Sequence, residues 1–218
     1  MRLKYRFLSL FLLAMLGVEP VATASGGPAP TADAGAPQRL LSAPALALSP
    51  AEEADILFMR EEEKLARDVY VFLYELWGHP VFANISESEQ RHMDSMAALV
   101  DTYSLTDPVQ DDSVGAFTNP DLASLFASLS ARGQTSLLEA LGVGAFIEEV
   151  DMRDIRAAID RATHADIIQT YENLLRGSRN HLRAFVRTIE NLGVVYEAQV
   201  LPQSEVDAIV DSPLERGR

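Results

Sequence analysis

The sequence contains no cysteine. That absence excludes disulfides, thiolate-bound zinc, iron–sulfur clusters and a cysteine nucleophile. It also excludes a lipid-modified cysteine at a signal-cleavage site. Basic residues are scarce: 18 Lys and Arg stand against 32 Asp and Glu, a formal net charge of -14. Nucleic-acid binding needs clustered Lys and Arg against phosphate, so no nucleic-acid partner is expected. An acidic surface attracts cations instead. From Pro50 onward no segment alternates apolar and polar residues, so no half-buried strand is expected. The chain has no G-x-S-x-G, no P-loop and no H-E-x-x-H.

What is present fits one ordinary domain with appendages: 218 residues, 48% of them hydrophobic. Arg2, Lys4 and Arg6 open the chain, an apolar run covers 7–18, and Ala22-Thr23-Ala24 gives a small-x-small pattern. These three features predict a signal peptide over 1–24, cleaved near Ala24, and an exported protein, periplasmic or secreted. The apolar run is shorter than the about 20 residues that span a bilayer, so no membrane span is expected after cleavage. Residues 25–49 are rich in Ala, Pro, Gly and Ser and read as a linker. Residues 50–195 read as a helical domain and 196–218 as a tail with a short helix over 204–210.

Ser49-Pro50-Ala51-Glu52 is a helix start, with Ser as N-cap, Pro at the first position and acid in the first turn. Apolar residues then recur every three or four positions over 50–77, 81–103, 136–161 and 163–192. Thr163 and Asp166 have the spacing of a capping box. His79 and His164, at the joints, are expected in solvent. Short joints follow the first and third helices, whereas about thirty residues separate the second from the third. Within them Asn119-Pro120 opens a short amphipathic helix that stops at Gly133. The expected fold is all-α: a four-helix bundle of two antiparallel hairpins joined by a long crossover.

Charged residues on the apolar stripes carry the chemistry. The first helix offers Ile56, Met59, Glu63, Ala66, Tyr70, Leu73 and Trp77, or a shifted series containing Glu62. The periodicity leaves the inward glutamate at 62 or 63, and the run 61–63 is by default a solvated face. The second stripe contains Glu89 and His92, an E-x-x-H whose side chains leave one helix face. Glu148 interrupts the third stripe, with Asp151 three residues on, and His181 interrupts the fourth. Buried carboxylates without counter-charge cost several kcal/mol, and no Lys or Arg lies on these stripes. A shared metal ion supplies that charge, and carboxylate with imidazole suits iron, manganese or zinc.

These residues resemble the ferritin-like superfamily, its rubrerythrin-type members in particular. Glu63-Lys64-Leu65-Ala66-Arg67-Asp68-Val69-Tyr70 is similar to that family's E-x-x-A-R-x-x-Y, which favours Glu63 over Glu62 as ligand. Glu89-Gln90-Arg91-His92 is similar to its first E-x-x-H. His181 with Phe185 resembles the second, but Ser178 stands where its glutamate belongs. The blocks 59–68 and 177–185 look closer still to an uncharacterised bacterial family of exported ferritin-like domains.

The resemblance implies one or two iron ions held by Glu63, Glu89, His92, Glu148 and His181. Asp151 would compensate for the carboxylate missing at 178, and Tyr70 would be a nearby redox or hydrogen-bonding group. The implied activity is oxidation of iron, or reduction of oxygen or peroxide, in a monomer or homodimer. Two alternatives remain open. One is metal capture or buffering without turnover. The other is a metal-free helical interaction module, with Glu63, Glu89 and Glu148 in solvent or paired with Arg67, Arg91 and Arg179.

Overall fold

A computed structural model describes residues 47–217. The expected signal peptide over 1–24 lies outside the described residues, as does the linker over 25–49 up to residue 46. The described residues form six helices and no strand. They are α1 (Pro50–Trp77), α2 (Pro80–Thr102), α3 (Pro120–Gly133), α4 (Leu137–Arg161), α5 (Ala165–Asn191) and α6 (Gln203–Asp211). None is long and apolar enough to cross a membrane.

Local signals set most helix ends. Ser49 and Glu52 form a reciprocal capping box at the start of α1, and Gly78 ends the helix in the left-handed region at φ 61°. Asn119 and Ser136 cap α3 and α4 through their side chains. His79 is the half-buried N-cap of α2 and accepts from the Val81 N–H. The capping box expected from Thr163 and Asp166 does not form. His164 is the N-cap of α5, without a side-chain cap bond. Thr163 instead donates to Glu52, and Asp166 accepts from the Tyr103 hydroxyl. His164 is not solvated either: its side chain is 10% exposed and lies 2.8 Å from Glu52. One buried carboxylate thus ties the start of α1 to the start of α5, which outcompetes the local cap.

Helix α1 packs along α2, and α4 along α5; α1 also meets α4, and α2 meets α5. Helix α3 lies against α1 and α4, and α6 against α5. The apolar interior falls into two clusters. One includes Tyr70, Leu73, Phe82, Ile85, Phe185 and Val186; the other includes Ile56, Met59, Met96, Leu99, Ile167 and Leu174. On α1, α2 and α5, Glu63, Glu89 with His92, and His181 fall between the residues that feed the two clusters. A polar layer therefore crosses an otherwise apolar interior.

Helix α1 contradicts the simplest reading of its charged block. Every residue from Arg60 to Tyr70 is buried, including the run 61–63 expected in solvent. The crossover explains this, because it lies on the charged side of α1. Arg60 pairs with Asp107 at 3.1 Å and Arg67 with Asp112 at 2.8 Å. Lys64 Nζ donates to Asp68 and to the Ser113 carbonyl, and Glu61 accepts from the Thr118 and Asn119 amides. Buried charges persist when each is paired and hydrogen-bonded.

Candidate metal centre

Three helices supply the carboxylates of the polar layer, and two supply imidazoles. Glu63 on α1, Glu89 on α2 and Glu148 on α4 are each 1–2% exposed. His92 Nδ1 lies 2.8 Å from Glu89 Oε2 and 3.1 Å from Glu63 Oε2. His181 Nδ1 lies 2.7 Å from Glu89 Oε1 and 3.5 Å from Glu148 Oε2. Among the described residues, two groups of three bring their ligand atoms within 4.8 Å of one another: Glu63, Glu89, His92 and Glu89, Glu148, His181. Glu89 belongs to both, with one oxygen turned to each histidine.

His92 Nδ1 is hydrogen-bonded to Glu63 Oε2, but other converging atoms are left unsatisfied. Glu63 Oε1, Glu89 Oε1 and His181 Nδ1 are buried and lack a hydrogen-bond partner. The 2.7 Å approach of His181 Nδ1 to Glu89 Oε1 is thus contact without hydrogen-bond direction. Buried polar atoms are normally paired. Lone pairs that converge and stay unpaired fit a divalent cation better than a hydrogen-bond network. Three carboxylates and two imidazoles are also a ligand chemistry suited to iron, manganese or zinc.

Surrounding groups hold these side chains in place. His181 Nε2 lies 2.9 Å from Ser88 Oγ, which leaves Nδ1 facing the centre. The Tyr70 hydroxyl donates to Glu148 Oε1 at 2.5 Å and packs against Phe185 at 5.2 Å between ring centroids. The rings of His92 and His181 stack at 5.4 Å. Gly177 makes room for His92: a Cβ there would sit 2.4 Å from the ring. Gly144 does the same for Phe185, also at 2.4 Å.

The electrostatics follow from burial and from these pairs. Burial alone would raise Glu89, but the imidazoles of His181 and His92 hold it well below the usual carboxylate range. Burial pushes Glu63 up to about 7, against the pull of His92. Burial opposes a charge on His181, yet Glu89 and Glu148 bring it up to about 9. His92 is raised too, by Glu89 and Glu63, against its burial. Carboxylates and imidazoles thus favour one another's charged forms here, and a bound cation would take the place of the imidazole protons.

Helices α1, α2, α4 and α5 thus bring together Glu63, Glu89, His92, Glu148 and His181. Asp151 stands outside both groups of three and accepts a hydrogen bond from Ser178. Burial and the charges of Glu63, Glu62 and Glu148 push its carboxyl well above the usual range. The solvent-facing or arginine-paired arrangement of the glutamates does not occur. Arg67 pairs with Asp68 and Asp112, and Arg179 with Glu215, while Arg91 is exposed. Sequence reasoning missed Ser88, because a serine on a helix surface has no distinguishing pattern. It also missed Glu149, which is fully buried on α4 and accepts from the amides of Gln199, Val200 and Leu201 and from the Tyr196 hydroxyl. The adjacent pair Glu148-Glu149 was the available signal: neighbours on a helix face different ways.

Residues 52–213 match the model of a family described as an uncharacterized protein domain, DUF2202. The chain is similar to the uncharacterized protein MJ0754 of Methanocaldococcus jannaschii, at 46% identity over 176 residues, covering 81% of this chain and 95% of that protein. A crystal structure described as the hypothetical protein MJ0754 from Methanococcus jannaschii aligns with a TM-score of 0.77 at 45% identity, over 80% of this chain and 99% of that one.

Proposed function

The chain belongs to the DUF2202 family, and from the geometry of its buried centre we propose that it is a ferritin-like metal-binding protein that carries out iron-dependent oxidation. In this reading α1, α2, α4 and α5 form the four-helix bundle, and the connection from α2 to α4 is its long crossover. The observation that carries the reading is Glu89, shared by two carboxylate–histidine groups in which Glu63 Oε1, Glu89 Oε1 and His181 Nδ1 are buried without hydrogen-bond partners. Iron would be held by Glu63, Glu89 and His92 and by Glu89, Glu148 and His181; manganese and zinc suit the same donors. Bound there, iron supplies one-electron chemistry toward oxygen or peroxide.

The chain's own residues do the rest. Glu63, Glu89 and Glu148 balance cationic charge in a layer closed above and below by apolar clusters. Ser88 fixes the His181 ring, and Tyr70 orients Glu148. The buried side chains of Tyr70, Phe185, Met59 and Met96 flank the layer. No cysteine is present to hold an iron–sulfur partner, so electrons come from iron itself or from an external donor. Export follows from the features of residues 1–24.

Metal capture without turnover is the second reading, and Ser178 favours it. The position that would complete a second ion's carboxylates holds a hydroxyl already committed to Asp151. Metal content by mass spectrometry after anaerobic loading with Fe(II), beside Glu89→Ala/His92→Ala, tests both. Two irons per chain, lost in the variant, support the oxidation reading and call for oxygen and peroxide assays. One ion supports capture, and no ion above the variant removes both.

A further inference from the structure

Two buried carboxylates stand beside the centre without belonging to it. Glu62 and Asp151 face a narrow crevice whose other walls include Leu65, Leu125, Leu129 and Phe146, from α1, α3 and α4. Its free space is about 10 Å³, on the scale of one water-sized sphere. Glu62 is 5% exposed and Asp151 6%. Each keeps a buried oxygen without a hydrogen-bond partner, Oε2 of Glu62 and Oδ1 of Asp151.

The pair has an outer and an inner end. Asp154 lies one turn beyond Asp151 on α4, close enough to Glu62 to act on its carboxyl. Its side chain is 24% exposed, and it holds Arg153 at 2.7 Å. At the inner end Glu62 directly precedes Glu63, and Asp151 follows Glu148 by three residues. Glu62 and Asp151 lie close enough to Glu63 and Glu148 for their charges to act on one another, and the remaining walls of the crevice are apolar.

We propose that Glu62 and Asp151, with Asp154 at the mouth, form an oxygen-only transit site that takes a hard divalent cation from solvent and passes it to the centre at Glu63, Glu89 and Glu148. This rests on the reading of that centre as metal-binding. Carboxylates without imidazole or thiolate select hard cations and hold them loosely enough for transfer. Burial favours the protonated form of both carboxyls, so an arriving cation displaces protons as it binds. The Ser178 hydroxyl steadies one Asp151 oxygen, and the other is left for the ion.

The test follows arrival of the ion separately from its final binding. The full chain, stripped of metal by chelation, is mixed anaerobically with Co(II) in a stopped-flow instrument. Visible absorption reports filling of the centre, and an equilibrium titration reports how much binds. Glu62→Gln removes the inner carboxyl group, and Asp154→Asn removes the partly exposed acid beside it. Glu172→Gln, an exposed acid on α5, removes a charge elsewhere. Both crevice variants are expected to fill more slowly, Glu62→Gln by on the order of tenfold, with unchanged final amount and spectrum. The α5 variant is expected to match the parent. Unchanged rates in both crevice variants overturn the proposal and place the route elsewhere, as past the partly exposed His92. Equal slowing by Glu172→Gln overturns it in favour of general charge. A changed final spectrum in Glu62→Gln overturns it by making Glu62 a resting ligand. Asp154→Asn, on the surface, carries the test alone if Glu62→Gln does not fold. Failure of the unsubstituted chain to bind Co(II) overturns the metal centre itself, which a rate difference between variants does not.

Discussion

The Ser178 hydroxyl on α5 donates to the Asp151 carboxylate on α4, and both groups are buried. The residue that stands where the proposed ferritin-like reading expects a carboxylate therefore anchors a neighbouring carboxyl group. Ser178→Ala leaves that Asp151 oxygen without its donor. Such a loss costs about 1–3 kcal/mol. Urea denaturation of the metal-free protein is expected to show it as a lower midpoint with an unchanged slope.

Glu89 serves both groups of ligands, whereas Glu63 and Glu148 each serve one. Loss of Glu89 is therefore expected to abolish all tight metal binding. Glu63→Ala and Glu148→Ala are each expected to spare the group they do not belong to. Metal-to-protein ratios after anaerobic loading and desalting distinguish the three variants. Equal ratios in all of them would contradict the shared role of Glu89.

Gly177 is needed for its lack of a side chain. Its Cβ would meet the His92 ring at 2.4 Å, and alanine is otherwise the better helix former. Gly177→Ala is expected to displace His92 and weaken metal affinity by roughly 10–100-fold, the range seen when groups supporting a ligand are lost. Circular dichroism should remain that of a folded helical protein.

The tail has an acid-sensitive anchor. Glu215 pairs with Arg179 at 2.5 Å and with Arg183 at 2.8 Å. The Arg179 bond, working against modest burial, together with Arg183, brings Glu215 down to about 2. A carboxyl lowered in the folded state stabilises it above the unfolded value near 4.5, and that gain is lost as pH falls toward 2. Glu215 and Arg179 are partly exposed, so the effect is local and weakened by salt. Amide exchange around 209–215, relative to its intrinsic rate at each pH, is expected to accelerate between pH 4.5 and 2. In Glu215→Gln it is expected to be fast already at pH 7.

Glu149 fixes the preceding part of the tail by accepting three amides and one hydroxyl. Glu149→Ala leaves those donors unsatisfied and is expected to cost about 2–4 kcal/mol. Limited proteolysis should then cut first near residues 197–202.

Much of the candidate centre was legible in the sequence, because a lone charge in an apolar stripe marks a position on a helix face. Glu89 with His92, Glu148 and His181 stood out in this way. Glu63 could not be separated from Glu62 by periodicity, because two stripes overlap on α1 and both side chains prove to be buried. His164 read as a solvated joint residue, since its neighbour Glu52 is 112 positions away. The run 61–63 read by default as surface for the same reason: the residues that cover this side of α1, Asp107, Asp112, Ser113 and Thr118, arrive on a distant connection.

The sequence by itself determined that this chain is helical, where α1 to α5 begin and end to within a few residues, and which positions carry charge on apolar stripes. Those properties are local: caps, proline, glycine and a repeat of three to four residues act within one helix. Only the tertiary structure decided that Glu89 faces two histidines at once, that Ser178 holds Asp151, and that Glu62 opens on a crevice. Each depends on the rotation and depth at which two helices meet, which packing across the whole interior sets and no single helix encodes.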